Sequence, residues 1–126
     1  MESNLITMER LVEIFKVLGD TTRLKIVKLI SAKELKVGDI VQILGLAQSS
    51  VSQHLARLRS ARLVNERREG QVVYYSLNQE NFFAFEHSCK IFMESDLASI
   101  AELKKEYSLV QIIAGSKEVE RRETGC

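Results

Sequence analysis

The chain has 126 residues, 45% hydrophobic and 28% charged, which is the length and composition of one folded domain rather than of a disordered or fibrous chain. Its two cysteines, Cys89 and Cys126, are too few for a disulfide framework and match no common zinc spacing, so free thiols in a cytoplasmic protein are expected. The net charge of +1 announces no partner, no apolar run approaches the ~18 residues of a membrane span, and polar and acidic residues break up the N-terminus, so no signal peptide and no membrane contact are expected.

Proline is absent, which leaves most of the chain free to be helical. Met8 to Leu18 places apolar residues at 8, 11, 12, 14, 15 and 18, the stripe of an amphipathic helix, and Gly19 ends it. Asp20 or Thr21 can cap a second helix, Thr22 to Ser31, with its apolar positions at 24, 26, 27, 29 and 30. A link over residues 32–36 leads to a third helix, Val37 to Leu44, in which Val37, Ile40, Val41 and Leu44 share a face. Gly45 suits a left-handed cap. A fourth helix follows from Ala47 or Gln48 to about Ala61, with Val51, Leu55 and Leu58 facing inward. The third and fourth helices thus make a helix-turn-helix hinged at Gly45 and Leu46.

Beyond it, residues 63–67 and 71–77 pair as a hairpin turned at Glu69-Gly70, with Val72, Val73, Tyr74 and Tyr75 as strong strand formers. A fifth helix begins near Gln79, capped by Asn78, and carries Phe82, Phe83, Phe85, Cys89, Ile91, Phe92 and Met93. Two amphipathic stretches follow, Leu97 to Tyr107 and Leu109 to Ala114. Residues 1–114 are expected to form one domain and the charged residues 115–126 a disordered tail. The fold class is mainly α with a β-hairpin wing (α+β), a winged helix-turn-helix.

That layout points to DNA. Gln48, Ser49, Ser50, Ser52, Gln53 and His54 are small or hydrogen-bonding residues at the start of the fourth helix, suited to base edges in a groove. His54 equally suits a bond within the domain, and Arg23 an ion pair. Arg57 on the same helix, and Arg67, Arg68 and Gln71 on the wing, are candidates for phosphate. Between Gln53 and Tyr75, five Arg (57, 59, 62, 67 and 68) stand against Glu66 and Glu69, a local charge of 5 − 2 = +3. A solvated charged face would show the same excess. The fifth helix carries Phe on more than one face, more than a small domain can bury, so a subunit interface of Met8, Leu11, Phe15, Phe82, Phe85 and Phe92 is expected. No Gly-rich phosphate loop, Ser-His-Asp order or paired carboxylates mark an enzyme.

Three segments, LGDTTRLKIVKLI (18–30), ELKVGDIVQILGLAQSSVSQHLARLRSARLV (34–64) and REGQVVYYSL (68–77), resemble the ArsR/SmtB family. The resemblance covers roughly residues 8–95 and rests on D-x-T-R-L, S-x-H-L and R-E-G-x-x-x-Y-Y in order. It implies a cytoplasmic homodimeric repressor, joined through its first and last helices, that leaves a double-stranded, pseudo-palindromic operator when an inducer binds. The family's thiolate metal positions fall on Lys36 and Gly38, and those of its other metal site on about Gln79, Asn81, Phe92 and Ser95. Neither set suits a soft metal or zinc. The metal is therefore unknown. Arsenite, another thiophilic ion, or a reactive sulfur species or oxidant acting on Cys89 and Cys126 is one expectation for the inducer, and a small molecule that needs no thiol is another. A winged-helix module that binds only protein is the competing reading.

Overall fold

The computed structural model describes residues 5–124, with side chains through residue 115. Among the described residues six α-helices and three strands follow one another: α1 (Met8–Leu18), α2 (Thr21–Ala32), β1 (Leu35–Lys36), α3 (Val37–Leu44), α4 (Gln48–Ser60), β2 (Val64–Glu69), β3 (Val72–Leu77), α5 (Gln79–Glu94) and α6 (Lys104–Thr124). Short 3-10 turns at Leu97–Ser99 and Ala101–Leu103 precede α6. The chain divides into two compact units after Cys89.

Helix boundaries follow local chemistry. Thr7 caps α1 by accepting from the Arg10 N–H at 3.1 Å, and Asp20 caps α2 by accepting from the Arg23 N–H at 3.0 Å. Gly19 ends α1 at φ −77°, not in the left-handed region; a Cβ there would stand 3.1 Å from the Phe15 carbonyl oxygen. At the α3–α4 turn Gly45 does take a left-handed φ of 66°, and its N–H closes onto the Val41 carbonyl at 2.8 Å. Asn78 caps α5 by accepting from the Asn81 N–H at 3.0 Å.

The core of the first unit gathers one face of each helix. Ile14 of α1, Ile26 of α2, Ile40 of α3, Val51, Leu55 and Leu58 of α4, and Leu63 before β2 are fully buried. Leu11 and Phe85 belong to the same core, so these two residues, expected at a subunit interface, are consumed within the chain. Phe85 lies edge-on to Phe15 and Phe82, with ring centroids 5.3 and 6.2 Å apart. Met8 and Phe82 are half-buried, whereas Phe15 and Phe92 remain exposed. Buried Ser88 of α5 accepts the Ile6 N–H at 3.0 Å, which seats the segment ahead of α1.

The sheet holds a strand the sequence pattern did not announce. β1 pairs antiparallel with β3, in the order β1-β3-β2, so the expected link over residues 32–36 contributes to the wing. Two residues are too short for alternation to register; only pairing across the fold defines them. The hairpin is also longer than expected. Glu69 opposes Val72, and Gly70, at φ 63°, opens the two-residue turn. Arg67 and Arg68 therefore lie inside the strand pair rather than ahead of its turn.

In the second unit, α6 packs against both 3-10 turns and exposes Leu109, Val110, Ile112 and Ile113. Helix α6 continues to Thr124. Lys, Glu and Arg dominate residues 117–123, and such residues propagate a helix already begun. Among the described residues no helix is long and apolar enough to cross a membrane.

Candidate nucleic-acid interface

Helix α4 has two chemically distinct faces. Val51, Leu55 and Leu58, spaced by four and three residues, are buried against the core. On the opposite side Gln48, Ser49, Ser52, Gln53 and Arg57 are exposed, with Ser50 and His54 half-buried at the flank. The side chains of Gln48, Ser49, Ser52 and Gln53 make no hydrogen bond among the described residues, so their donors and acceptors are available to a ligand. No acidic residue sits in the first turn and Ala47 provides no side-chain cap. The first amide N–H groups of α4 thus remain open to a phosphate.

His54 is engaged inside the domain. Its Nδ1 lies 3.1 Å from Arg23 Nη1, and Asp20 Oδ1 stands 3.9 Å away. A guanidinium only donates, so Nδ1 accepts and the ring N–H sits on Nε2. Arg23 is therefore held structurally: it also donates from Nε to the Val17 carbonyl. The Arg23 backbone N–H, followed by the Arg23 charge, holds the Asp20 carboxyl below its ordinary range against the opposing effect of partial burial.

The wing is more internally paired than its basic sequence implies. Arg67 meets Glu34 through two bonds, Nη2 to Oε1 at 2.7 Å and Nε to Oε2 at 3.1 Å. Its Nη1 donates to Glu69 at 2.7 Å, and the guanidinium lies 4.5 Å above the Tyr74 ring. The bond from Arg67 lowers the Glu34 carboxyl, and the two carboxylates raise the Arg67 guanidinium. Arg59 of α4 pairs with Glu66 of β2 at 2.8 Å, and the Tyr75 hydroxyl donates to the same carboxylate at 3.2 Å. Partial burial, with Glu66 beside it, pushes the Tyr75 hydroxyl up. Arg57, Arg62 and Arg68 form no ion pair among the described residues. Gln71 is exposed at the turn.

Sequence reasoning placed the α4 face and the wing but missed Glu34. A lone Glu ahead of a two-residue strand carries no local signal, because its partner stands 33 positions away. Of the two expected sensor thiols, Cys89 is half-buried on α5, and Cys126 lies outside the described residues. Burial, then the nearby Glu86 charge, pushes the Cys89 thiol up, which lowers its thiolate fraction. Among the described residues no group of three or more His, Cys, Asp or Glu side chains could hold a metal ion.

Comparison with known proteins gives this geometry a family. Residues 20–66 match the model described as "Bacterial regulatory protein, arsR family". The HTH-type transcriptional regulator KmtR of Mycobacterium tuberculosis is 41% identical over 70 residues, 56% of this chain and 54% of its own length. The transcriptional repressor SdpR of Bacillus subtilis is 38% identical over 65 residues, 52% of this chain and 72% of that protein. The chain thus spans about half of KmtR and nearly three quarters of SdpR. Among solved structures, HlyU from Vibrio cholerae is 34% identical with a TM-score of 0.55, over 68% of this chain and 95% of that one. Similarity of this extent, on a winged helix-turn-helix with an unpartnered polar face on its second helix, shows that the chain belongs to the arsR family of bacterial regulatory proteins.

Proposed function

We propose that this protein is a transcriptional repressor that binds a pseudo-palindromic DNA operator as a homodimer. The observation that carries the reading is α4, whose exposed Gln48, Ser49, Ser52 and Gln53 lie opposite a fully buried apolar stripe. Such a helix can enter a major groove and present amide and hydroxyl groups to base edges. Arg57 and Arg68, with no ion pair among the described residues, and the open N-terminus of α4 supply the phosphate contacts that fix its register. A second copy would put two such helices about one helical turn, ~34 Å, apart. Exposed Val12 and Phe15 on α1 and Phe83 on α5 are apolar surface that a second copy would cover.

An inducer that needs no thiol fits the raised Cys89 better than thiolate capture does. Two relatives from Pseudomonas putida carry the name arsenic resistance transcriptional regulator, and a Synechocystis relative is named an SmtB homolog. Challenge with arsenite and zinc alongside oxidant therefore remains part of the test.

Fluorescence anisotropy on duplexes tiled across the promoter upstream of the protein's own coding region tests the reading. Binding to one duplex, weakening steeply with salt and lost in Gln53→Ala at unchanged fold, is the expected result. Equal, salt-insensitive or absent binding for both proteins would instead favour a module that recognises only protein.

A further inference from the structure

The outer face of the wing carries a closed electrostatic group. Lys36, Tyr74 and Arg67 are directly opposed across β1, β3 and β2, so their side chains share one face of the sheet. Glu69, two residues beyond Arg67, shares it as well. Glu34 closes the group from the segment ahead of β1 with its two bonds to the guanidinium. The formal charge of this group is 2 − 2 = 0, from Arg67 and Lys36 against Glu34 and Glu69. On the opposite face Arg59 and Arg68 stand against Glu66 alone, 2 − 1 = +1.

A carboxylate gripping a guanidinium through two parallel N–H bonds uses the geometry of a phosphate doing the same. For Arg67 to reach DNA it must first release Glu34, and often Glu69 too. That exchange trades one set of charge-assisted bonds for another and gains little. It also releases fewer counterions, because the protein has already neutralised the arginine. Arg68 faces no such exchange, having no ion pair among the described residues.

We propose that Glu34 occupies the place on Arg67 that a DNA phosphate would take, so that the wing contacts phosphate through Arg68 and Glu34 sets how tightly the protein holds DNA. This rests on the DNA-binding function proposed above. Glu34 is half-exposed and ahead of the strand, so its replacement by Gln preserves shape while weakening the grip.

The test is anisotropy with a random-sequence duplex of about 30 base pairs, titrated from about 50 to 200 mM salt, because phosphate contact is independent of sequence. E34Q is expected to bind several-fold tighter than wild type, with a salt slope steeper by about 0.9 for each wing engaged. R67A alone should change little, whereas R67A added to E34Q should remove the gain. R68A should weaken binding and flatten the slope. E34A provides a second route to the same release if E34Q shifts the melting temperature. Unchanged or weaker binding by both Glu34 variants, or a loss in R67A as large as in R68A, would overturn the proposal and make Glu34 a positioning residue for a DNA-contacting Arg67. Those outcomes leave wild-type binding intact; a wild type that binds no duplex at all would overturn the DNA-binding function itself.

Discussion

Arg23 Nη1 lies 3.1 Å from His54 Nδ1, and through this bond the N-terminus of α2 holds the middle of α4. The same guanidinium donates from Nε to the Val17 carbonyl of α1, while Asp20 Oδ2 stands 3.9 Å from Nη1. One side chain, 11% exposed, thus ties three helices together beneath the exposed polar face of α4. The orientation of α4 depends on this polar group as well as on its apolar stripe.

Replacing His54 with Ala leaves an Arg23 N–H without its acceptor in a mostly buried position. Urea unfolding should show a loss of about 1–2 kcal/mol, accompanied by weaker DNA binding because α4 is less firmly set. His54→Gln, whose side-chain oxygen can accept, should recover much of both. Full stability in His54→Ala together with lost binding would instead assign His54 directly to DNA.

Arg62 is the one described residue other than glycine with a positive φ, 61°. It follows the end of α4, where the Leu63 N–H bonds to the Leu58 carbonyl at 3.0 Å and the Arg62 N–H to the Arg59 carbonyl at 2.9 Å. This pattern ends a helix with a residue in the left-handed region, which glycine adopts without a Cβ penalty. Arg62→Gly should raise stability by about 1 kcal/mol, read as a later urea midpoint at unchanged slope. A lower midpoint would show that the Arg62 side chain contributes more than its backbone strain costs.

Stability should depend on pH through Asp20. Its carboxyl is held below the ordinary value, chiefly by the Arg23 N–H, so between the two values the unfolded chain binds more protons than the folded one. Stability then rises with pH across that window. The contribution is complete above the ordinary value, about 3.9, and is lost as pH falls through the depressed one. Asp20→Asn keeps a capping oxygen and removes the charge. The melting-temperature gap between wild type and Asp20→Asn should hold steady from neutral pH to about 5 and narrow below about 4. A gap of the same size at pH 3 would rule this linkage out.

Cys89 should be a slow thiol. Burial and the Glu86 charge both favour its protonated form, so little thiolate exists near neutral pH. In a Cys126→Ser background Cys89 is the sole thiol, and its reaction with a disulfide reagent should be slower in the folded protein than in urea. A folded-state rate equal to or above the unfolded one would restore Cys89 as a sensor.

Much of the fold was legible because its signals are local. The stripe of Val51, Leu55 and Leu58, the left-handed Gly45 and the caps at Asp20 and Asn78 each act within a few residues, and each falls where the spacing implied. The exposed polar residues of α4 were legible for the same reason: once the apolar stripe faces inward, the residues between must face out. Burial of Leu11 and Phe85 was not, since an apolar residue on a helix serves a core or a partner equally well.

By itself, the sequence determined the order of the helices, the hairpin and the two-faced helix α4, all of which rest on periodicity and turn chemistry over short spans. Only the tertiary structure decided which charges of the wing are available. Glu34 reaches Arg67 because β1 joins the sheet beside β3, and Arg23 reaches His54 because α2 packs on α4. A hydrogen bond between residues 31 positions apart and an ion pair between residues 33 apart leave no periodic trace, so a count of arginines reveals a charge excess but not which arginine a phosphate will find free.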